Sequence, residues 1–280
     1  MRFFVLLRSD SPEANASAKS IFHYLENLDH QVEICEHSGE PLTQASCLEI
    51  SKSDLLISLG GDGTMLRAVE TAVLSDTLVM GVNLGHLGYL THVEPETVES
   101  SLERFIRGDF QIETRTMLSV DLTPADGQPV NCFPAALNEA VLERSLAGHT
   151  IRFEVTIAGT AFASFAADGI IISTATGSTG YNMSARGPIL SPHLNALVVT
   201  PISPHMLFDR PLVLSEQEEI EISLIGTRSA ELVVDGIRIG TFEPGTTVTC
   251  STAKTPARLV VFEKPSFHAI LKDKFQLKDR

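Results

Sequence analysis

The chain of 280 residues contains no tryptophan, and phenylalanine and tyrosine bring its aromatic content to only 6%. A row of rings on which successive bases could stack is therefore missing. A basic excess is missing too: 21 lysines and arginines stand against 35 aspartates and glutamates, for a formal net charge of −14. Such a chain is no general binder of nucleic acid or of anionic membranes, and a phosphate-rich ligand must meet a local site that works against the overall field. The four cysteines, Cys35, Cys47, Cys132 and Cys250, include no CxxC pair. Zinc and thioredoxin chemistry have no support, and scattered thiols fit a reducing compartment. His86, His193 and His205 are not spaced as metal ligands. No run approaches the roughly 18 apolar residues of a membrane helix. The first apolar run, MRFFVLLRSDSP, ends at Arg8 without a small-residue cleavage pattern, and a cytoplasmic protein is expected.

The patterning divides the chain in two. Phe3 to Leu7 is a continuous apolar run, as in a strand buried on both faces of a parallel sheet. Ser11-Pro12 supplies an N-cap and a proline at the first helical position, and Ala14, Ala18, Ile21, Phe22, Leu25 and Leu28 follow at helical spacing. Val32–Cys35, Asp54–Leu59 and Leu78–Leu84 read as further strands. Met65 to Val73 and Pro95 to Ile106 read as helices. This alternation predicts an α/β domain with a Rossmann-like parallel sheet over residues 1–110. Beyond residue 110 helical periodicity nearly disappears. Gln111–Leu122, Ile151–Ala158, Ala161–Ala166, Gly169–Ser173, Ala196–Pro201, Glu218–Ile225, Glu231–Val234 and Thr247–Cys250 read as strands between Gly, Pro, Asp and Asn turns. An all-β, sandwich-like domain is expected over 111–255. A strand at Arg258–Phe262 and a helix at Phe267–Phe275 form a segment, 256–280, expected to pack back on the first domain.

The segment LISLGGDGTMLRA is a strand, a tight turn and the start of a helix. Gly60, Gly61 and Gly63 let a ligand approach the backbone, and their N–H groups, with the helix N-terminus after Thr64, make a nest for phosphate. The Walker pattern is absent, because no lysine follows the loop. The dinucleotide fingerprint fails at its third glycine, where Leu66 stands. Asp62, among the glycines, reads either as an Asx-turn residue that shapes the loop or as a carboxylate held beside phosphates, able to take the proton of an attacking hydroxyl. Asn138 and Glu139, ahead of AVLER, read on their own as a solvated turn.

GGDGT resembles the signature shared by NAD kinases, phosphofructokinases and the diacylglycerol and sphingosine lipid kinases. Further segments resemble NAD kinase motifs in the family's order: GVNLGHLGYL (81–90), LNEAV around Asn138 and Glu139, DGIIISTATGSTGYNMSARGPIL (168–190), PISPHMLFDRPLVL (201–214) and VDG (234–236). The resemblance implies phosphorylation by ATP of the 2′-hydroxyl on the adenosine ribose of NAD. Asp62 would be the proton acceptor, and Gly60, Gly61, Gly63 and Thr64 would hold the ATP phosphates. It puts NAD on Asn138, Glu139, Asp168, Thr179, Gly180, Tyr181, Ser184 and Asp235, with Glu139 accepting from a ribose diol and Asp168 at the nicotinamide end. It also implies a homodimer or homotetramer. Phosphoryl transfer calls for Mg²⁺ with ATP. No dedicated carboxylate cage is visible, so the ion is expected on the phosphates and water, with Asp62 nearby. A lipid kinase shares GGDGT but would want a basic or apolar membrane face, and a non-catalytic nucleotide-binding regulator would keep the fold alone. The chain departs from the family pattern at Ala175, where proline is usual, at Gly180 for alanine, at Arg186 for glycine, at Asp209 for asparagine and at Ala166, where many members carry arginine. Without that guanidinium the site is expected to accept NADH beside NAD, and inorganic polyphosphate beside ATP.

Overall fold

The computed structural model describes residues 1–38, 42–85, 88–125, 127, 130–207, 209–263 and 266–277, with 130–134 described by backbone alone. His86 and the side chain of Cys132 lie outside the described residues. The chain divides into two compact units, Met1–Thr114 with Ala257–Arg280, and Arg115–Pro256.

The first unit opens with β1 (Arg2–Arg8), α1 (Pro12–Glu26) and β2 (Gln31–His37), then α2 (Gln44–Ile50), β3 (Leu55–Gly60), α3 (Asp62–Ala72) and β4 (Leu78–Asn83). After a 3₁₀ turn at Pro95–Thr97 come α4 (Val98–Ile106) and β5 (Gln111–Arg115). The Ser11 hydroxyl accepts the Ala14 N–H at 3.2 Å, so α1 is capped as its sequence demands. Its buried stripe is Ala14, Ala18, Ile21 and Leu25. β1 is buried on both faces between parallel neighbours β2 and β3, and β4 pairs parallel with β3. Apolar runs without alternation follow directly from that double coverage.

The second unit is antiparallel. It contains β6 (Leu118–Thr123), β7 (Val130–Ala136), β8 (Glu139–Arg144), β9 (Ile151–Ile157), β10 (Thr160–Ala167), β11 (Gly169–Thr174), the short α5 (Tyr181–Ser184), β12 (Ala196–Ile202), β13 (Leu212–Ser215), β14 (Ile220–Ile225), β15 (Ala230–Val234), β16 (Ile237–Phe242) and β17 (Thr247–Thr252). One sheet runs β10-β9-β14-β17-β6-β7 and the other β13-β12-β11-β8-β15-β16. Phe153, Val155, Ile220 and Val248 from the first share one core with Ile170, Ile172, Leu142 and Leu232 from the second. This is the all-β sandwich.

The chain ends in β18 (Ala257–Val261) and α6 (Phe267–Lys274), within the first unit. β18 pairs parallel with β4 and completes the sheet order β2-β1-β3-β4-β18-β5. One expected element is corrected. The run Gln111–Leu122 is two strands in two different sheets, parted at Thr116-Met117. Its β propensity is unbroken, so nothing local marks the passage from one sheet to the other.

Candidate active site

The β3–α3 junction carries GGDGT. Gly61 is the N-cap, extended at φ −98° and ψ −166°, and Asp62 is the first helical residue. The helix therefore begins three residues before its expected start at Met65. A carboxylate at this position complements the positive end of the helix dipole, which favours the earlier start. Gly61 and Gly63 are exposed, and a methyl group on either would meet nothing within 4 Å, so the loop is open to a ligand. Gly60 differs: a Cβ there would lie 2.5 Å from Oγ1 of Thr64. Thr64 is 1% exposed and its hydroxyl has no hydrogen-bond partner.

Asp62 docks on the loop after β4. Its Oδ2 accepts the Tyr89 N–H at 3.0 Å and its Oδ1 accepts the Leu90 N–H at 3.2 Å. Gly88 makes this approach possible, because a Cβ on it would fall 2.3 Å from Oδ1 of Asp62 and 2.7 Å from Oγ1 of Thr91. Tyr89 is gripped in turn by α6: its ring lies 6.3 Å from that of Phe267, and the Lys274 ammonium sits 4.4 Å above it. Burial, then the charge of Asp62, pushes the Tyr89 hydroxyl above its ordinary range.

The second cluster lies wholly in the sandwich. Glu139 opens β8 and is only 9% exposed, which corrects the picture of a solvated turn. Its Oε2 has no partner. Burial first, and the charge of Asp235 second, push its carboxyl up to about 8. A Cβ on Gly180 would lie 2.8 Å from that Oε2, so only a residue without a side chain fits against the carboxyl here. Asn138 is anchored through its carbonyl, which accepts the Thr174 N–H at 2.8 Å. Asp235 accepts the N–H groups of Leu137 (2.6 Å), Asn138 (2.9 Å) and Glu139 (3.0 Å).

TATGSTGY forms a 3₁₀ turn at Gly177–Thr179 leading into α5. Buried Asn182 ties the segment down, donating to the carbonyls of Ser178 and Pro188 (both 3.1 Å) and accepting from the Thr200 hydroxyl at 2.6 Å. Thr179 is half-buried and Ser184 exposed. The Tyr181 ring is 41% exposed, and its hydroxyl, hydrogen-bonded to Glu143, is pushed up to about 12. Asp168 stands beside Arg144 at 3.4 Å, and its carbonyl accepts the Arg144 N–H. Arg186 takes φ 65°, which explains why glycine suits this position. The fourth motif holds the backbone beside this cluster: the Ile202 carbonyl accepts the Asp168 N–H at 3.0 Å and the His205 N–H donates to the Ala166 carbonyl at 2.7 Å, while Phe208 lies outside the described residues.

The ATP-NAD kinase N-terminal domain profile matches residues 4–110, and the C-terminal domain profile matches 137–262. The NAD kinase of Heliobacterium modesticaldum is 36% identical over 97% of this chain and 97% of its own length. That of Moorella thermoacetica is 33% identical over 98% of this chain and 89% of its own. The chain belongs to the ATP-NAD kinase family. Among solved structures, an NAD kinase from Archaeoglobus fulgidus in complex with ATP has a TM-score of 0.75 at 26% identity, covering 99% of this chain and 98% of that one. A yeast NADH kinase complexed with NADH has a TM-score of 0.86 at 21% identity, covering 100% and 88%, a likeness of fold.

For an ATP-NAD kinase family member, three neighbours of the motif residues escaped the sequence reading. Gly88 matters through loop docking. Glu143 and Arg144 matter through register, since β8 runs antiparallel to β11 with Glu143 opposite Gly169. The one signal for the latter pair was the polar end of the strand NEAVLER. Among the described residues, no group of three or more His, Cys, Asp or Glu is placed to hold a metal ion.

Proposed function

We propose that this protein transfers the γ-phosphoryl group of ATP to the 2′-hydroxyl of the adenosine ribose of NAD, giving NADP and ADP. The observation that carries this reading is the geometry of Asp62: a carboxylate at the first turn of a helix, between exposed glycines, oriented by two backbone N–H groups. The hydroxyl oxygen bonds to the γ-phosphorus, the bond to the ADP oxygen breaks, and the hydroxyl proton passes to Asp62 and on to solvent. The backbone at Gly60, Gly61 and Gly63 cradles the ATP phosphates, and Thr64 supports the turn beneath them. In the sandwich, Asn138 takes the adenosine moiety and Glu139 accepts from a ribose diol. Thr179, Gly180, Tyr181 and Ser184 flank adenine and sugar, Asp168 takes the nicotinamide end, and Asp235 belongs to the same site.

On this reading a divalent ion such as Mg²⁺ arrives with the triphosphate as part of the substrate, held by the phosphates and water with Asp62 nearby. Our reading places the enzyme in the cytoplasm as a homodimer or homotetramer, binding neither nucleic acid nor membrane, in line with its net charge of −14. No described helix is long and apolar enough to cross a membrane. Alanine at position 166 leaves NADH and polyphosphate as further substrates. The test is purified protein with ATP and either NAD, NADH or diacylglycerol vesicles, and with polyphosphate replacing ATP. NADP formation is expected; phosphorylation of the lipid alone would refute the assignment.

A further inference from the structure

Asp235 was carried over as a substrate contact, but its surroundings give it another task. Asp235 and Gly236 both have positive φ, 45° and 78°, and they join β15 to β16 with Val234 paired to Ile237. That is a two-residue hairpin turn with both central residues left-handed, the type whose twist matches its strands. A rigid turn thus presents the Asp235 carboxylate, 5% exposed, to the start of β8. Three consecutive N–H groups, of Leu137, Asn138 and Glu139, converge on it, and the Asp235 N–H donates back to the Glu139 carbonyl at 3.0 Å. Three of these four hydrogen bonds fix the backbone of Asn138 and Glu139, the two residues proposed to hold the dinucleotide, and the fourth holds Leu137 just before them.

We propose that Asp235 is a positioning residue of the dinucleotide site, acting through Asn138 and Glu139 rather than touching the dinucleotide. The inference rests on the reading of Glu139 as the acceptor for a ribose diol.

It has a consequence that contact alone would lack. The unpartnered Oε2 of Glu139 is buried beside Asp235, and both burial and that charge favour its protonated form. The other groups around it add no compensating cation: the Tyr181 N–H pulls the other way, and the acids nearest Tyr181 are Glu143 and Asp168, the latter beside Arg144. A carboxyl that accepts a hydroxyl hydrogen bond on each of its two oxygens does so as the carboxylate, because protonation turns one of those oxygens into a donor. Binding of the dinucleotide then releases the Glu139 proton, and affinity rises about tenfold per pH unit until the pH reaches the carboxyl's own value near 8.

Calorimetry of NAD binding without ATP, from pH 6 to 9 in buffers of different ionisation enthalpy, tests this. The wild-type protein is expected to release roughly 0.9 proton per NAD at pH 7 and almost none above pH 9. Glu139→Gln is expected to release none. Asp235→Asn keeps one acceptor oxygen but turns an amide toward the Leu137 N–H. It is expected to bind NAD tenfold or more weakly, with the midpoint of proton release moved to lower pH. Asp235→Glu keeps the charge on a longer arm, so its midpoint should stay while affinity falls, and it serves if the Asn variant does not fold. Absence of proton release in the wild type overturns the proposal. So does an Asp235→Asn protein that binds weakly with an unmoved midpoint, or an Asp235→Glu protein that binds as the wild type does. A protein that releases the proton but makes no NADP refutes the assigned reaction and leaves the role of Asp235 standing.

Discussion

At the scale of single residues, the space beside Asp62 is as informative as Asp62 itself. Gly88 is open backbone against which the carboxylate packs, and an added methyl group would fall 2.3 Å from Oδ1. That oxygen ends a side chain that can rotate, so Gly88→Ala should leave the fold intact while pushing Asp62 off the Leu90 N–H. Displacement of a catalytic group by about 1 Å can reduce turnover some 10²-fold. The variant is expected to show that loss in kcat with NAD affinity near wild type, and a modestly lower Tm because the methyl group would also sit 2.7 Å from Oγ1 of buried Thr91. Full turnover in Gly88→Ala would mean that the docked position of Asp62 is not the working one. The role of this glycine was not legible in GVNLGHLGYL, because it depends on where the loop after β4 lands relative to the β3–α3 turn. Asp62, by contrast, stood out in the sequence, since a strand, glycines and a helix start are local signals.

At the scale of elements, strands with a strong burial pattern were readable and weak ones were not. β1, β3 and β4 are nearly all buried, and β14 and β15 alternate cleanly. β13 has no buried residue and α2 only Ile50, so neither leaves a stripe to detect. The start of β8 is hard to read because its first residue is a glutamate, buried for its environment and not its polarity. Nothing local marks the segment after β11 as a helical turn, because its order comes from Asn182, whose partners Ser178, Pro188 and Thr200 belong to the tertiary fold. Gly187 fits against the same side chain, as a Cβ there would sit 1.9 Å from Oδ1 of Asn182. Its neighbour Arg186 holds a left-handed φ that costs a side-chain-bearing residue about 1–2 kcal/mol, part of which glycine's extra unfolded-state freedom returns. Arg186→Gly is therefore expected to stabilise the sandwich by about 1 kcal/mol and raise Tm by about 2–4 °C. An unchanged or lower Tm would show that the arginine side chain supplies compensating contacts.

At the scale of the whole molecule, the change of patterning near residue 110 reflects two ways of burying a sheet. The first unit covers a mostly parallel sheet with helices, and the second packs one antiparallel sheet on another. In the proposed reaction each carries its own part of the chemistry: the oriented carboxylate at the β3–α3 turn, and the buried carboxyl at the start of β8. The charge of −14 makes clear that affinity for two anionic substrates comes from local backbone N–H groups and shaped hydrogen-bonding sites, not from the general field. The most direct test of the account is phosphorus NMR of the product made from ATP and NAD by the wild-type protein and by Asp62→Asn. The account predicts one new phosphate monoester, on the 2′-oxygen of the adenosine ribose, formed about 10²–10⁴-fold more slowly by the variant. A phosphate at any other position, or equal rates from the two proteins, would contradict it.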